Sequence, residues 1–212
     1  MRCIAVAGGP AFFDTLPPER LNDGAVMRTL TTQQSNMAVF LDREGVITPK
    51  LPRGVHVVTL DQAVLAPGAA DALRLLTEAG CRLFIVTNQS GVARGYLTRG
   101  AADAVHAHIV RQLADRGVVI NDSRLCPHRD EDGCACRKPK PGMIADLCDQ
   151  HGIDPARAAL IGDSPSDVVA GLAAGCAVRV HLALSGQASN AATHRADNLL
   201  EAVRIILEVR YD

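Results

Sequence analysis

The stretch Ala38-Val39-Phe40-Leu41-Asp42-Arg43-Glu44-Gly45-Val46 decides how the rest of the chain is read. Four apolar residues run into an acid, a second acid follows two places on, and a glycine comes next. The apolar run is short and partly β-branched or aromatic, which suits a strand buried on both faces of a parallel sheet. Asp42 then falls just past the carboxyl end of that strand, where doubly wound sheets keep their chemistry. Gly45 lets the chain turn sharply with no Cβ to clash. An acid after a buried strand is ordinary loop polarity when it stands alone. Its meaning rests on what the other strand ends bring to it.

Working outward, residues 1–36 hold Pro17-Pro18, Gly8-Gly9 and the polar string Thr31-Thr32-Gln33-Gln34-Ser35-Asn36, without sustained periodicity. They read as a loosely ordered extension with one strand near Cys3–Ala7. From residue 37 to 212 strands and helices alternate. A helix opens at Pro67-Gly68 and ends at Gly80, and a second buried strand covers Arg82–Thr87. A long helix runs from Thr98 to Arg116, and a third strand covers Val118–Leu125. A helix over Pro141–Gly152, a strand over Ala158–Ile161, a helix over Pro165–Ala174, a strand over Ala177–Leu182 and a helix over Leu199–Val209 complete the series, with 183–195 as a loop. This order predicts a doubly wound, mainly parallel α/β sheet with helices on both faces. Too little chain lies between Asp42 and Thr87 for a large cap domain.

The totals fit one domain of this kind. Of 212 residues, 48% are hydrophobic and the net charge is −1, so neither a disordered chain nor an electrostatic footprint for nucleic acid is expected. The apolar centre of the first ten residues is too short for a secretory signal, and no run reaches membrane length. A cytoplasmic, monomeric protein with no nucleic-acid or membrane partner is the expectation. Seven cysteines, crowded toward one loop, fit a reducing compartment and a metal better than a disulfide framework.

The strand ends then supply partners for Asp42. After the first strand come Asp42 and Glu44; after the second, Thr87-Asn88-Gln89-Ser90-Gly91-Val92-Ala93-Arg94-Gly95. After the third comes a cysteine loop ending in Arg137-Lys138, and after the fourth, Gly162-Asp163-Ser164-Pro165-Ser166-Asp167. A phosphate monoester dianion repels a carboxylate nucleophile, so a hard dication must neutralise both. Mg²⁺ takes one or two carboxylates plus waters and phosphate oxygens. Asp42 and Asp163 are the natural pair of ligands, with Glu44 contributing and Asp167 supporting. Asp42 can attack phosphorus and split hydrolysis into two easier steps. Glu44 can protonate the leaving alkoxide and later deprotonate water, while Thr87 and Lys138 stabilise the phosphoryl oxygens.

Cys126-Pro127-His128 and Cys134-Ala135-Cys136 offer three sulfurs and one imidazole within 11 residues. That set suits a closed, tetrahedral, structural zinc site, which would order the loop carrying Arg137 and Lys138. His106 and His108, two apart on the long helix, read as solvent-facing or half-buried. Cys3, Cys81, Cys148 and Cys176 read as small packing residues or surface thiols.

The ordered set Asp42-x-Glu44-Gly45, Thr87, Lys138 and Gly162-Asp163-x-x-x-Asp167 resembles the haloacid dehalogenase superfamily of phosphotransferases. The zinc loop, together with Thr87 to Gly95, looks like the zinc-containing heptose bisphosphate phosphatases of that superfamily, whose relatives hydrolyse histidinol phosphate. The resemblance implies a Mg²⁺- and Zn²⁺-dependent phosphomonoesterase on a sugar bisphosphate, acting at C7 of heptose 1,7-bisphosphate on the way to nucleotide-activated heptose for surface polysaccharide. It also implies that Thr87, Asn88, Gln89 and Ser90 contact the phosphate and neighbouring hydroxyls, and that Arg137 meets the distal phosphate or sugar. Arg53 falls where the family carries a further substrate-binding segment. Arg94 reads equally as a phosphate contact or as a loop-tip charge. Histidinol-phosphate or broader phosphatase activity is the alternative within the same chemistry, and a phosphate-binding protein of low turnover is the alternative outside it. The last is prompted by Glu44, because the superfamily places aspartate there; on this ground Glu44→Asp is expected to raise turnover.

Overall fold

Alternation of period two sorts the strand residues into two apolar faces. Val39, Leu41, Leu83, Ile85, Ala159, Ile161, Val180 and Leu182 fall in one buried cluster, and Ala38, Phe40, Phe84, Val86, Ala158 and Leu160 in another. A sheet with two apolar faces needs a helical layer on each. The computed structural model describes Ile4–Ala5 and residues 37–52, 55–183 and 189–209. It shows β1 (Ile4–Ala5), β2 (Ala38–Leu41), α1 (Ala69–Glu78), β3 (Arg82–Asn88), α2 (Arg99–Ala114) and β4 (Ile120–Cys126). These are followed by α3 (Gly142–His151), β5 (Ala158–Gly162), α4 (Pro165–Ala174), β6 (Val178–Leu182), β7 (His194–Ala196) and α5 (Leu199–Val209). Leu73 and Leu76 of α1, Ile109 and Leu113 of α2 and Val203 and Ile206 of α5 cover the first face. Ile144 and Leu147 of α3 and Val168 of α4 cover the second.

The strand order is β1-β4-β3-β2-β5-β6-β7, with β1 antiparallel to β4 and every other pairing parallel. β2 therefore lies at the middle, completely buried, as its four apolar residues require. Phe40 stands opposite Phe84 in the register, with ring centroids 5.6 Å apart. Burying each ring is worth about 2–3 kcal/mol, and the tilted pair adds about 1 kcal/mol. The chain turns one way from β2 into β3 and β4 and the other way into β5, β6 and β7. The crevice at the carboxyl ends of β2 and β5 is the topological switch point, which is where α/β sheets bind ligands.

The expected elements are present with two departures. The segment 183–195, read as a loop, ends in β7, which pairs with β6 through Val180↔His194 and Leu182↔Ala196. Three residues among small and polar neighbours are too short to show alternation. The third strand begins at Ile120 rather than Val118 and extends to Cys126, so the first cysteine of the metal loop is the last residue of a strand. Within the expected strand near Cys3–Ala7, Ile4–Ala5 is β1; the rest of the extension lies outside the described residues. No helix among the described residues is long and apolar enough to cross a membrane. Among them α1 is the one helix between Asp42 and Thr87, so nothing there has the size of a cap.

Candidate active site

Asp42 is the first residue past β2, and its N–H donates to Ile161 O on β5 at 3.0 Å. That bond ties the loop of Asp42 to the strand carrying Asp163. Gly45, at φ 84°, completes the approach: a Cβ there would stand 2.1 Å from Asp163 Oδ2. Gly162 makes the equivalent room on the neighbouring strand, because its Cβ would meet Asp167 Cβ at 2.2 Å. Both glycines are required for three carboxylates to reach one place. Asp42, Asp163 and Asp167 each bring an oxygen into a group whose members all lie within 4.8 Å of one another.

Lys138 holds this group together from below. Its buried Nζ donates to Asp42 Oδ1 at 2.7 Å and to Val86 O at 2.8 Å, and pairs with Asp167 Oδ1 at 2.7 Å. All three ammonium donors are thus used. Asp167 divides its two oxygens: Oδ1 faces Lys138, while Oδ2 accepts from Ser164 N at 3.0 Å and Ser164 Oγ at 2.7 Å, capping the start of α4. Burial opposes the charge on Lys138, but Asp167 and Asp42 outweigh it and raise its pKa. Burial, aided by Asp167 and Asp163 and opposed by Lys138, pushes the Asp42 carboxyl up to about 7. Three buried acids facing a single interior lysine leave an excess of negative charge, and an added dication would relieve it. The donor set is hard oxygen, as Mg²⁺ requires.

Asn88 clamps the lysine loop. Its Nδ2 donates to Lys138 O at 3.0 Å and its Oδ1 accepts from Lys138 N at 3.1 Å. The amide expected to face substrate is spent on positioning Lys138. Gln89, also expected at the substrate, is buried and donates from Nε2 to Thr87 Oγ1 at 3.0 Å and Glu44 Oε1 at 3.1 Å. Glu44 Oε1 also accepts from Arg43 Nη2 at 3.0 Å. The Glu44 side chain does not join the three converging aspartates. Its longer chain is turned toward Arg43 and Gln89, and both donors land on one oxygen. Ser90 is half-buried on the loop past β3, and Arg94 stands exposed at the tip of that loop. Arg53 lies outside the described residues.

The cysteine loop brings its four expected ligands together. Cys136 Sγ lies 3.3 Å from Cys126 Sγ, 3.6 Å from Cys134 Sγ and 3.4 Å from His128 Nδ1. Cys126 Sγ lies 3.7 Å from Cys134 Sγ and 3.6 Å from His128 Nδ1. Zinc bonds of roughly 2.1–2.3 Å at tetrahedral angles give edges of about 3.5–3.8 Å, so the donor set fits zinc. None of the three cysteines forms a disulfide. The loop is braced from within by Arg137, whose Nε donates to Asp130 Oδ1 at 2.6 Å and whose Nη1 donates to His128 O at 3.1 Å. Two nitrogens expected to read substrate therefore brace the metal loop.

Two contacts were not foreseen. Lys50 Nζ reaches Asp163 Oδ2 at 2.8 Å. Arg43 is completely buried, and its Nε and Nη1 have no hydrogen-bond partner among the described residues. Arg43 sits between the two acids of the opening stretch, and that was its only signal. His106, expected at or near the surface, is buried: its Nε2 meets Ser123 Oγ of β4 at 2.8 Å, and burial together with Arg43 lowers its pKa to about 4.

Comparison with known proteins agrees with this geometry. A model of the haloacid dehalogenase-like hydrolases matches residues 6–175. A D-glycero-beta-D-manno-heptose-1,7-bisphosphate 7-phosphatase of Pseudomonas aeruginosa is 37% identical over 142 residues, 67% of this chain and 79% of its own length. A D-glycero-alpha-D-manno-heptose-1,7-bisphosphate 7-phosphatase of Mycobacterium tuberculosis is 38% identical over 160 residues, 72% of this chain and 84% of its own. The crystal structure of the D,D-heptose 1,7-bisphosphate phosphatase of B. bronchiseptica, complexed with magnesium and phosphate, superposes with a TM-score of 0.73 at 32% identity. It covers 82% of this chain and 99% of that one.

Proposed function

The chain belongs to the haloacid dehalogenase-like hydrolases, and from that premise we propose that it is a Mg²⁺-dependent phosphatase removing the C7 phosphate of D-glycero-D-manno-heptose 1,7-bisphosphate. The observation that carries the proposal is the convergence of Asp42, Asp163 and Asp167 on Lys138 at the switch point, in a chain related to enzymes of that name. Asp42 and Asp163 would hold Mg²⁺, which would supply charge neutralisation for the nucleophile and the phosphoryl oxygens.

The chain's own groups do the rest. Asp42 Oδ1 is held by Lys138, which leaves Oδ2 as the attacking oxygen. Its lone pair forms the new O–P bond as the bond to the sugar oxygen breaks, and the departing alkoxide takes a proton from Glu44. Water then attacks the aspartyl-phosphate, gives its proton back to Glu44, and releases phosphate with Asp42 restored. Lys138 and Thr87 stabilise charge on the phosphoryl oxygens, and Asn88 fixes Lys138 where this is possible. Ser90, Arg94 and Arg53 remain for the sugar and its outer phosphate. Cys126, His128, Cys134 and Cys136 would hold Zn²⁺ in a closed set of protein ligands, which would fix the Arg137-Lys138 backbone.

The test is phosphate release from both anomers of heptose 1,7-bisphosphate and from histidinol phosphate, with Mg²⁺. One heptose anomer is expected to be turned over at least about 100-fold more efficiently than histidinol phosphate, a pocket-scale discrimination. Asp42→Asn is expected to lower turnover by about 10⁴-fold or more while leaving zinc content intact. Equal, slow rates on all three substrates would overturn the heptose assignment, and an active Asp42→Asn would overturn the nucleophile.

A further inference from the structure

Lys50 lies on the loop that leaves β2 for α1, and its side chain is 60% exposed, yet its ammonium is pinned to Asp163, whose side chain is only 6% exposed. An exposed lysine gives up rotamer freedom to hold one place, and a surface ion pair seldom repays that. Here the partner is a buried carboxylate crowded by two others. Burial raises the Asp163 carboxyl and Lys50 counters it. Three of the other carboxylate oxygens are partnered from inside: Lys138 takes Asp42 Oδ1 and Asp167 Oδ1, and the Ser164 hydroxyl donates to Asp167 Oδ2. Asp163 Oδ2 is the oxygen whose counter-charge arrives from the rim. It is also the oxygen for which Gly45 leaves room.

We propose that Lys50 is a tethered cation that exchanges with the divalent metal on Asp163, and that once displaced it serves the second phosphate of the substrate. A dication and an ammonium cannot share one carboxylate oxygen without strong repulsion, so metal entry expels Lys50 toward solvent. The stem stays rooted at the rim, so the freed ammonium remains over the crevice. A bisphosphate with one phosphoryl group at Asp42 must carry its other outward past that rim. Lys50 thus keeps the acids neutralised in the metal-free protein and becomes a specificity residue in the loaded one. The second half rests on the bisphosphatase reading above; the first needs only the metal.

Calorimetric titration of Mg²⁺ into the substrate-free protein and its Lys50→Met variant tests the exchange. Lys50→Met is expected to bind Mg²⁺ about three- to tenfold more tightly, and the gap is expected to narrow in high salt. An equal or weaker affinity overturns the exchange, and no Mg²⁺ binding by either protein overturns the metal seat with it. At saturating Mg²⁺, Lys50→Met is expected to raise KM for heptose 1,7-bisphosphate about five- to tenfold, leave KM for p-nitrophenyl phosphate within about twofold, and be rescued by Lys50→Arg. A parallel rise for both substrates overturns the second role. Because the titration needs no turnover, its failure is separate from a failure of the phosphatase reading. The latter would show as no phosphate release by the wild type, and would overturn the second role alone.

Discussion

The molecule gathers metal-ligating side chains at two places and treats them in opposite ways. In the cysteine loop, three sulfurs and an imidazole all lie within 4.8 Å of one another, on a segment braced by Arg137 and Lys140. Every ligand position there is taken by protein. In the crevice, three carboxylates converge but share their charge with Lys138 below and Lys50 above. The first arrangement is closed and holds backbone in place; the second is open and made for exchange. They are joined by two residues of chain, because Cys136 is followed directly by Arg137 and Lys138. Soft ligands fix the loop, and the loop delivers the charge that the hard ligands need.

If that division is right, the largest effect comes from breaking the closed site. Cys136→Ser is expected to abolish zinc retention and lower turnover about 1,000-fold, because Lys138 loses its fixed position. Elemental analysis with an activity assay checks it, and added Mg²⁺ is expected to restore nothing. Chelation of Mg²⁺ from the wild type, by contrast, is expected to be fully reversible. An active, zinc-free Cys136→Ser would mean that the Asn88 clamp alone suffices to place Lys138.

A smaller effect is expected from Gly45→Ala, which strikes the open site only. The new Cβ would stand 2.1 Å from Asp163 Oδ2, at a φ of 84° that alanine resists. Asp163 must move, so Mg²⁺ affinity and turnover are expected to fall about 100-fold while zinc content stays unchanged. Loss of zinc in this variant would show that the two sites fold as one unit, against the division between closed and open.

The two sites also differed in how plainly the sequence announced them. Cys126, His128, Cys134 and Cys136 lie within 11 residues, and short-range spacing alone marks a chelating loop. Asp42, Asp163 and Lys138 are far apart in the chain, and became legible through the strands that precede them and the resemblance those motifs carry. What stayed hidden depends on contacts no period can express. Asn88 and Gln89 follow β3 as a polar pair, yet each is committed inward, to residues 50 and 45 positions away. Lys50 stood in a proline-rich loop with no pattern to join it to Asp163. His106 was read from its own helix, and only the approach of β4 with Ser123 shows it to be buried. The β7 strand is carried by pairing to β6, not by its own three residues.

The finest division concerns Glu44, which belongs to neither cluster. Its Oε1 is held by Arg43 and Gln89, and Gln89 in turn holds Thr87. An acid one methylene shorter cannot reach both donors from the same backbone and would be freed from them. Misplacement of a proton-transfer group by about 1 Å can cost about 100-fold, and general acid–base catalysis contributes about 10²–10⁴-fold in all. Glu44→Asp is therefore expected to raise kcat about tenfold with little change in KM or Mg²⁺ affinity, since Glu44 belongs neither to the carboxylate cluster nor to the Lys50–Asp163 ion pair. Steady-state kinetics with pre-steady-state measurement of the aspartyl-phosphate checks it, and the gain should appear in the step that Glu44 limits. A fall in kcat, matched by a similar fall in Gln89→Leu, would show instead that Arg43 and Gln89 form a seat adapted to the longer acid. The proton would then be delivered from that seat rather than from the edge of the metal cluster.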